Sequence, residues 1–433
     1  MNPFLESLLD TPLDDSYRGV PPGTPPVALR DVASRGWRPR DGDMALPVLT
    51  LDEAAFAHNT DKIFRYVHGH GAALAPHAKT PMSPQIVQRL LDAGAWGATV
   101  ANLQQAAVLL RAGVRRLMLG NEIGGLASGA RLGRLLAAYP DARLLAFADS
   151  ADTVRALAAA AGEAGRPVDV LVEVGGGRAG ARDAAGVRAI LDAVQAQGGK
   201  LSLAGVATYE GAVASSDPEA TRRNIAALMA RAIDALHQVR ALAPAAPLVF
   251  TAGGSAFFDQ VTQALAPALR QDGNTLLVLR SGAIFFHDHG VYRRALDAMD
   301  QRAGFEFGGE RHSAADFQPA LRLWGEVLSR PEPDLAICGF GMRDVSYDQD
   351  LPTPLAAYRD GRPVAGWNAD AARVAKLNDQ HAFLALPADS TLTPGDVIEF
   401  GISHPCTCLD RWRVFFGLDA DGRVSGAYRT YFG

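Results

Sequence analysis

From residue 46 onward the sequence alternates short β-branched or aliphatic runs with longer Ala/Leu/Arg stretches whose apolar residues recur at helical spacing. This alternation restricts the fold more than any other feature, because strand–helix–strand units build a parallel sheet covered by helices. The apolar runs fall at residues 72–76, 97–100, 116–119, 143–147, 168–174, 203–208, 248–251 and 275–280. Helical patterns between them include 83–91, 104–111, 152–162, 184–196 and 219–242. Eight such units predict a closed (βα)8 TIM-type barrel of about 250 residues. An open doubly wound sheet is the alternative for the same units. After residue 298 helices become scarce, and short runs at 321–328, 334–338 and 397–402 are separated by Gly/Pro/Asp turns. The expected organisation is an arm over residues 1–45, Pro-rich around Pro21, Pro22, Pro25 and Pro26 and packed on the last domain. A barrel follows over 46–298, then a β-rich domain over 299–433.

The 433 residues leave room for a barrel plus a smaller module, and 48% hydrophobic with 21% charged residues excludes a disordered or fibrous chain. With 42 Lys+Arg against 47 Asp+Glu and no basic run, a nucleic-acid footprint is not expected. Glu6 stands where a secretory leader needs basic residues, so export is not expected. The uncharged stretch 93–110 is interrupted by Asn102, Gln104 and Gln105, which argues against a membrane span. Three cysteines, Cys338, Cys406 and Cys408, cannot form a disulfide framework and point to a reducing, cytoplasmic setting.

In a (βα)8 barrel the reactive groups sit just beyond the carboxyl ends of the strands. Those positions hold His77 and Lys79, Asn102, Asn121, Arg178, Tyr209, Gly253-Gly254-Ser255 and Arg280. Each alone also suits a helix cap or a surface position; together they converge on one mouth. Lys79 follows a buried apolar run, where an amine can form a Schiff base with an aldehyde. Gly253 and Gly254 close run seven and open the next helix, so their N–H groups suit an anion. A phosphate site facing a lysine points to pyridoxal 5'-phosphate, with Arg178 placed to meet its ring. In the β-rich domain, His404-Pro405-Cys406-Thr407-Cys408 puts alternate side chains on one face if extended, and imidazole with thiolate suits a catalytic zinc that keeps open positions.

Pro76-His77-Ala78-Lys79-Thr80, residues 94–102, Asn121-Glu122, 175–178, Gly253-Gly254-Ser255, Arg343-Asp344-Val345-Ser346, Asp379-Gln380-His381 and His404-Pro405-Cys406 together resemble the D-serine dehydratase and D-threonine aldolase family, over most of the chain from residue 46. The resemblance implies a fold-type III pyridoxal-phosphate enzyme with an alanine racemase-like barrel, usually dimeric. It implies that Lys79 carries the cofactor, that His77, Arg178 and Tyr209 contact it, and that Gly253, Gly254 and Ser255 help bind its phosphate. It also implies a divalent metal on His404 and Cys406. An H-x-C pair resembles the zinc-dependent dehydratases, whereas aldolase members tend to carry H-x-D; the softer thiolate agrees with zinc over manganese, though another divalent metal is an alternative. The resemblance gives Cys408 no role.

The expected activity is elimination of the β-hydroxyl from a small D-amino acid such as D-serine, giving a 2-oxo acid and ammonia. Retro-aldol cleavage to glycine and an aldehyde, as in a D-threonine aldolase, uses the same groups and is the near alternative. A non-catalytic pyridoxal-phosphate carrier is the alternative from another class, and the metal pair and extra domain argue against it. The expected partners are a D-amino acid and a second copy of the chain, with no nucleic acid or membrane.

Overall fold

The computed structural model describes residues 2–302 and 304–432. Eight parallel strands form the barrel: β1 (Ala73–Leu74), β2 (Ala98–Val100), β3 (Arg116–Leu119), β4 (Arg143–Ala148), β5 (Val168–Val174), β6 (Leu201–Thr208), β7 (Leu248–Ala252) and β8 (Thr275–Leu279). From β2 to β8 each pairs with the next in sequence, and β8 pairs with β1. Closure between β1 and β2 rests on the bridge His77–Thr99 and two short bonds, Thr99 N to Pro76 O at 2.9 Å and Ala78 N to Thr99 O at 2.8 Å. Pro76 has no N–H to donate, which keeps β1 short and frees the chain to turn at the mouth.

Strand alternation divides the barrel core into two layers. Leu145, Phe147, Leu171 and Val278 fill the interior, while Val168, Val170, Val172 and Val174 face the surrounding helices. The helix N-termini are capped as the sequence dictates: Asn102 Oδ1 accepts from Gln105 N at 2.9 Å, Asp183 from Gly186 N at 2.8 Å, and Ser150 Oγ from Thr153 N.

The C-terminal domain is an antiparallel sheet centred on Leu321–Glu332, paired with Val397–Gly401 on one side and Leu335–Cys338 on the other. Val48–Asp52 belongs to this sheet and not to the barrel that was expected to begin at residue 46. It pairs antiparallel with Leu321–Glu332 and parallel with Val414–Leu418. The chain therefore starts in the β domain, and the Asp52-capped helix Glu53–Gly69 carries it across to β1. The segment before it is more ordered than its prolines suggested. It forms the helix Pro3–Leu9, capped by Asn2, and sends Leu13, Val20, Val32 and Trp37 against Trp324, Phe416 and Val424 of the sheet.

Three strands of contact seat the β domain on the barrel mouth. Ala320 N donates to Phe286 O at 2.7 Å, His289 N to Ile402 O at 2.9 Å, and Val291 N to Ser403 O at 3.0 Å. The segment leaving β8 is thus clamped beside residues 402–403, which brings His404 to the barrel rim. Among the described residues no helix is long and apolar enough to cross a membrane.

Candidate active site

A cavity of about 630 Å³ opens where the carboxyl ends of the strands meet the β domain, and His77, Lys79, Arg178, Tyr209, Ser255, His404 and Cys406 all line it. The turn after Pro76 presents Lys79 as an exposed side chain at this rim. His77 sits behind it. Burial first, then the neighbouring cations Lys79 and Arg280, push its pKa well below the ordinary histidine value, so the ring is neutral. The loop after β8 passes so close to His77 that a Cβ on Gly282 would lie 2.6 Å from the His77 carbonyl oxygen.

Arg280 forms the cavity floor. It is 7% exposed, and it donates to Thr251 Oγ1 and Thr208 O at 2.8 Å each, above the face of Phe147. Burial lowers its pKa to about 10, so it keeps its charge. The Arg178 guanidinium lies 5.0 Å from the centre of the Tyr209 ring, within cation–π range, and burial raises the Tyr209 phenol pKa.

The glycine turn after β7 differs from expectation. Gly253 N and Gly254 N donate at 3.0 and 2.6 Å to the carboxylate of Glu210, which is fully buried. The two amides expected to face a phosphate are therefore already held by an anion of the chain itself. Gly253 has φ +84°, so the turn still requires glycine. The free donors lie one residue on and across the mouth. Among the described residues the amides of Ser255, Gly282 and Ala283 donate to no protein acceptor, while Ser255 Oγ accepts from Ile284 N at 3.2 Å. All three residues line the cavity.

The opposite wall comes from the β domain. His404 is extended, at φ −157°, and caps the one-turn helix Pro405–Leu409. The 404–408 segment is therefore not the extended strand expected, and Cys408 does not share a face with the other two: it is fully buried, and burial raises its thiol pKa to about 12. A third-ligand role for Cys408 is removed. Cys406 Sγ lies 3.3 Å from Thr80 Oγ1. His404 Nδ1 lies 2.7 Å from Asp348 Oδ2, and Thr407 Oγ1 donates to Asp348 Oδ1 at 2.5 Å. Burial favours the neutral His404 ring, but Cys406 and Asp348 outweigh it and raise its pKa to about 9. The Asp344–Ser346 stretch supports this wall from behind: His404 N donates to Ser346 Oγ, and Trp412 Nε1 to Asp344 O.

Residues 51–270, just over half the chain, match the family model "Alanine racemase, N-terminal domain", and residues 320–418 match "Putative serine dehydratase domain". The chain belongs to the D-serine dehydratase and D-threonine aldolase family of fold-type III pyridoxal-phosphate proteins. It is 27% identical to a D-threonine aldolase of an Arthrobacter species, over 83% of this chain and 85% of that protein. It is 26% identical to a 3-hydroxy-D-aspartate aldolase of Paracoccus denitrificans, over 72% of this chain and 76% of that one. In fold it resembles D-threonine aldolase from Filomicrobium marinum, with TM-score 0.72 and 24% identity over 90% of this chain and 95% of that one. It also resembles D-threo-3-hydroxyaspartate dehydratase from Delftia sp. HT23, with TM-score 0.67 and 22% identity over 90% and 98%.

The residues present fit the family's cofactor. A lysine opens into a cavity large enough for it, a buried arginine floors that cavity, and unpaired amides at Ser255, Gly282 and Ala283 face it with no Cβ to spare at Gly282. They also fit a divalent metal with open positions: the His404 imidazole and the Cys406 thiol line the cavity from the β domain, and among the described residues no group of three or more His/Cys/Asp/Glu side chains is placed to close a site. Of the sequence candidates, Asn102 turns out to be a helix cap, whereas Asn121 and Arg280 do line the cavity. Sequence reasoning missed Glu210, Gly282, Ala283, Tyr292, Asp348, Asp410 and Phe432. Gly282 and Ala283 were within reach, because they directly follow strand eight, where barrel phosphate sites recur. Asp348 and Phe432 carried no local signal.

Proposed function

We propose that this chain is a cytoplasmic, homodimeric, pyridoxal-phosphate- and zinc-dependent lyase that eliminates the β-hydroxyl of D-serine-like amino acids to give a 2-oxo acid and ammonia. The observation that carries this reading is that Lys79 and the His404–Cys406 pair line the same cavity. A lyase of this kind needs a base at Cα and a metal at the β-oxygen within one small molecule's length of each other.

Lys79, Arg178, Tyr209 and the Ser255, Gly282 and Ala283 amides would hold the cofactor, which when bound withdraws electrons from Cα. The Lys79 Nζ, which opens into the cavity, would serve as the base that takes the α-proton. Neutral His77 keeps a further positive charge away from that amine, and Arg280, fixed on Thr251 and Thr208, places a constant charge on the cavity floor. His404 and Cys406 would hold the metal, whose Lewis acidity weakens the bond to the β-hydroxyl. Asp348 and Thr407 orient the His404 ring so that its Nε2 is the nitrogen left for the cavity. A thiolate in the donor set favours zinc over manganese, and the three free cysteines suit a reducing compartment.

Retro-aldol cleavage is the second reading, favoured by the aldolase names of the two relatives. The experiment is a product assay on zinc-loaded holoenzyme with D-serine and D-threonine. Ammonia with a 2-oxo acid supports elimination; glycine with an aldehyde replaces it by the aldolase reading. Cofactor binding with no turnover of any D-β-hydroxy amino acid would leave only a carrier.

A further inference from the structure

The wall that faces the β-carbon carries its own charge pattern. Asp410 follows Cys406 by four residues and caps the same helical turn in αR geometry, so both side chains lie on one face, and both line the cavity. The charged neighbours of the Asp410 carboxylate are Arg411, Asp348 and His404. Arg411 donates to Asp410 Oδ1 at 2.8 Å, but its Nε is spent on Met342 O and it lines a separate cleft with Tyr17 and Arg18. It therefore pairs with Asp410 from outside the cavity. Phe432 and Tyr292 complete the wall with aromatic surface.

The lysine and arginine side chains that line the cavity among the described residues belong to the barrel: Lys79, Arg178 and Arg280. Lys79 carries the cofactor in the reading above, Arg280 is committed to Thr251 and Thr208, and Arg178 lies over Tyr209. His404 is the one lining side chain among the charged neighbours of Asp410, and in the reading above its free nitrogen is committed to the metal, so among the described residues no lining cation is left there to take a substrate carboxylate. Asp348 is held by His404 and Thr407, which leaves Asp410 as the one carboxylate that lines the cavity among the described residues.

On this basis we infer that Asp410 is a specificity-determining residue that selects D-β-hydroxy amino acids with an uncharged β-substituent, hydrogen, alkyl or aryl, and disfavours a β-carboxylate. This rests on the lyase reading, because a substrate held through its β-hydroxyl beside His404 and Cys406 turns its β-substituent toward this wall. A second carboxylate there would meet Asp410 with no cation to pair it, whereas a methyl or phenyl group would meet Phe432 and Tyr292. Discrimination of this kind comes from an unfavourable contact with the rejected substrate.

The test uses holoenzyme loaded with pyridoxal 5'-phosphate and zinc. It compares kcat/KM for D-serine, D-threonine, D-phenylserine and D-threo-3-hydroxyaspartate in the natural chain, Asp410→Asn and Asp410→Lys. The expected result is that the best uncharged substrate exceeds hydroxyaspartate by about tenfold or more, and that Asp410→Lys moves that ratio toward hydroxyaspartate by about tenfold, with Asp410→Asn between. Hydroxyaspartate as the best substrate of the natural chain, or a ratio that neither variant moves, overturns the inference. If none of the four acids turns over, the lyase reading fails, and the charge rule is still decided by binding. Apparent Kd values from the change in cofactor absorbance must then give the same ranking and the same response to Asp410, or the rule falls as well.

Discussion

His404 Nδ1 and Asp348 Oδ2 are 2.7 Å apart, and Thr407 ties the second carboxylate oxygen into the same arrangement. The contact fixes which ring nitrogen faces the cavity. A carboxylate behind a ligating histidine raises its basicity and holds its plane, and loss of such partners typically costs 10–100-fold in metal affinity. Asp348→Asn should therefore weaken zinc binding by about that factor while cofactor absorbance stays at the natural level. Zinc titration against a competing chelator measures it; an unchanged affinity would show that Asp348 does not act through His404.

Among the described residues Lys79 is the one amine at the rim of the cavity. Lys79→Ala should abolish the visible absorbance of the lysine-linked cofactor and, with it, activity, without lowering the melting temperature of the apoprotein by more than a surface change would. Persistence of the band at full intensity would place the covalent link elsewhere.

Cys406 lies on the β-domain wall and meets the barrel through Thr80 Oγ1, so its removal leaves Lys79, Arg178 and Arg280 in place. Cys406→Ala, or chelation of the natural protein, should eliminate turnover and leave the cofactor band in place. Turnover that survives complete metal removal would separate the reaction from this pair.

The barrel was legible because its signal is local and repeated. β3 and β5 begin and end where the apolar runs at 116–119 and 168–174 do. The registration of Val48–Asp52 with the distant strand Leu321–Glu332 was not legible: the barrel was bounded at residue 46, where the alternation of apolar runs and helical stretches begins, and only pairing across some 270 residues assigns 48–52 to the other domain. In the site, His77, Lys79, Arg178, Tyr209 and Ser255 were readable from their place after strands. The wall from the β domain was readable only through the short H-x-C spacing. Asp348, 56 residues before His404, meets it only through tertiary packing.

Glu210 shows how a readable motif can serve a different purpose. Its carboxylate holds both glycine amides that the Gly-Gly pattern seemed to offer to phosphate. Glu210→Ala would strand one buried and one half-buried donor, each costing about 1–3 kcal/mol, so a stability loss of roughly 2–6 kcal/mol is expected in denaturant unfolding. Cofactor affinity should fall with it, because the loop carrying Ser255 loses its anchor. Glu210→Gln, which keeps one acceptor, should lose less of both. Equal behaviour of Glu210→Ala and the natural protein would show that the turn holds without the carboxylate.

His287 and His289 lie on the segment clamped between barrel and β domain, and the Nδ1 atom of each is buried without a partner among the described residues. Burial, with help from Arg293 and Arg322, lowers their pKa values to about 4 and about 3, from an ordinary 6.5. A depressed histidine pKa means that the unfolded chain binds the proton more readily than the folded one. The contribution to stability is whole above pH 6.5 and is lost as the pH falls toward 4. Asp288 between them acts in the opposite sense: burial raises its pKa to about 6, so its cost to the fold is absent near pH 4 and grows as the pH rises through 6. The histidine effect is isolated by His287→Asn, a residue that tolerates the positive φ of +47° at this position. Between pH 7 and pH 5 the natural chain should lose roughly 2 kcal/mol more stability than this variant, from 1.36 kcal/mol per unit of displaced pKa. Urea unfolding at the two pH values reads the difference in slope, independently of any uniform loss from the smaller side chain. Parallel pH profiles would mean that His287 is hydrated and titrates normally in the folded chain.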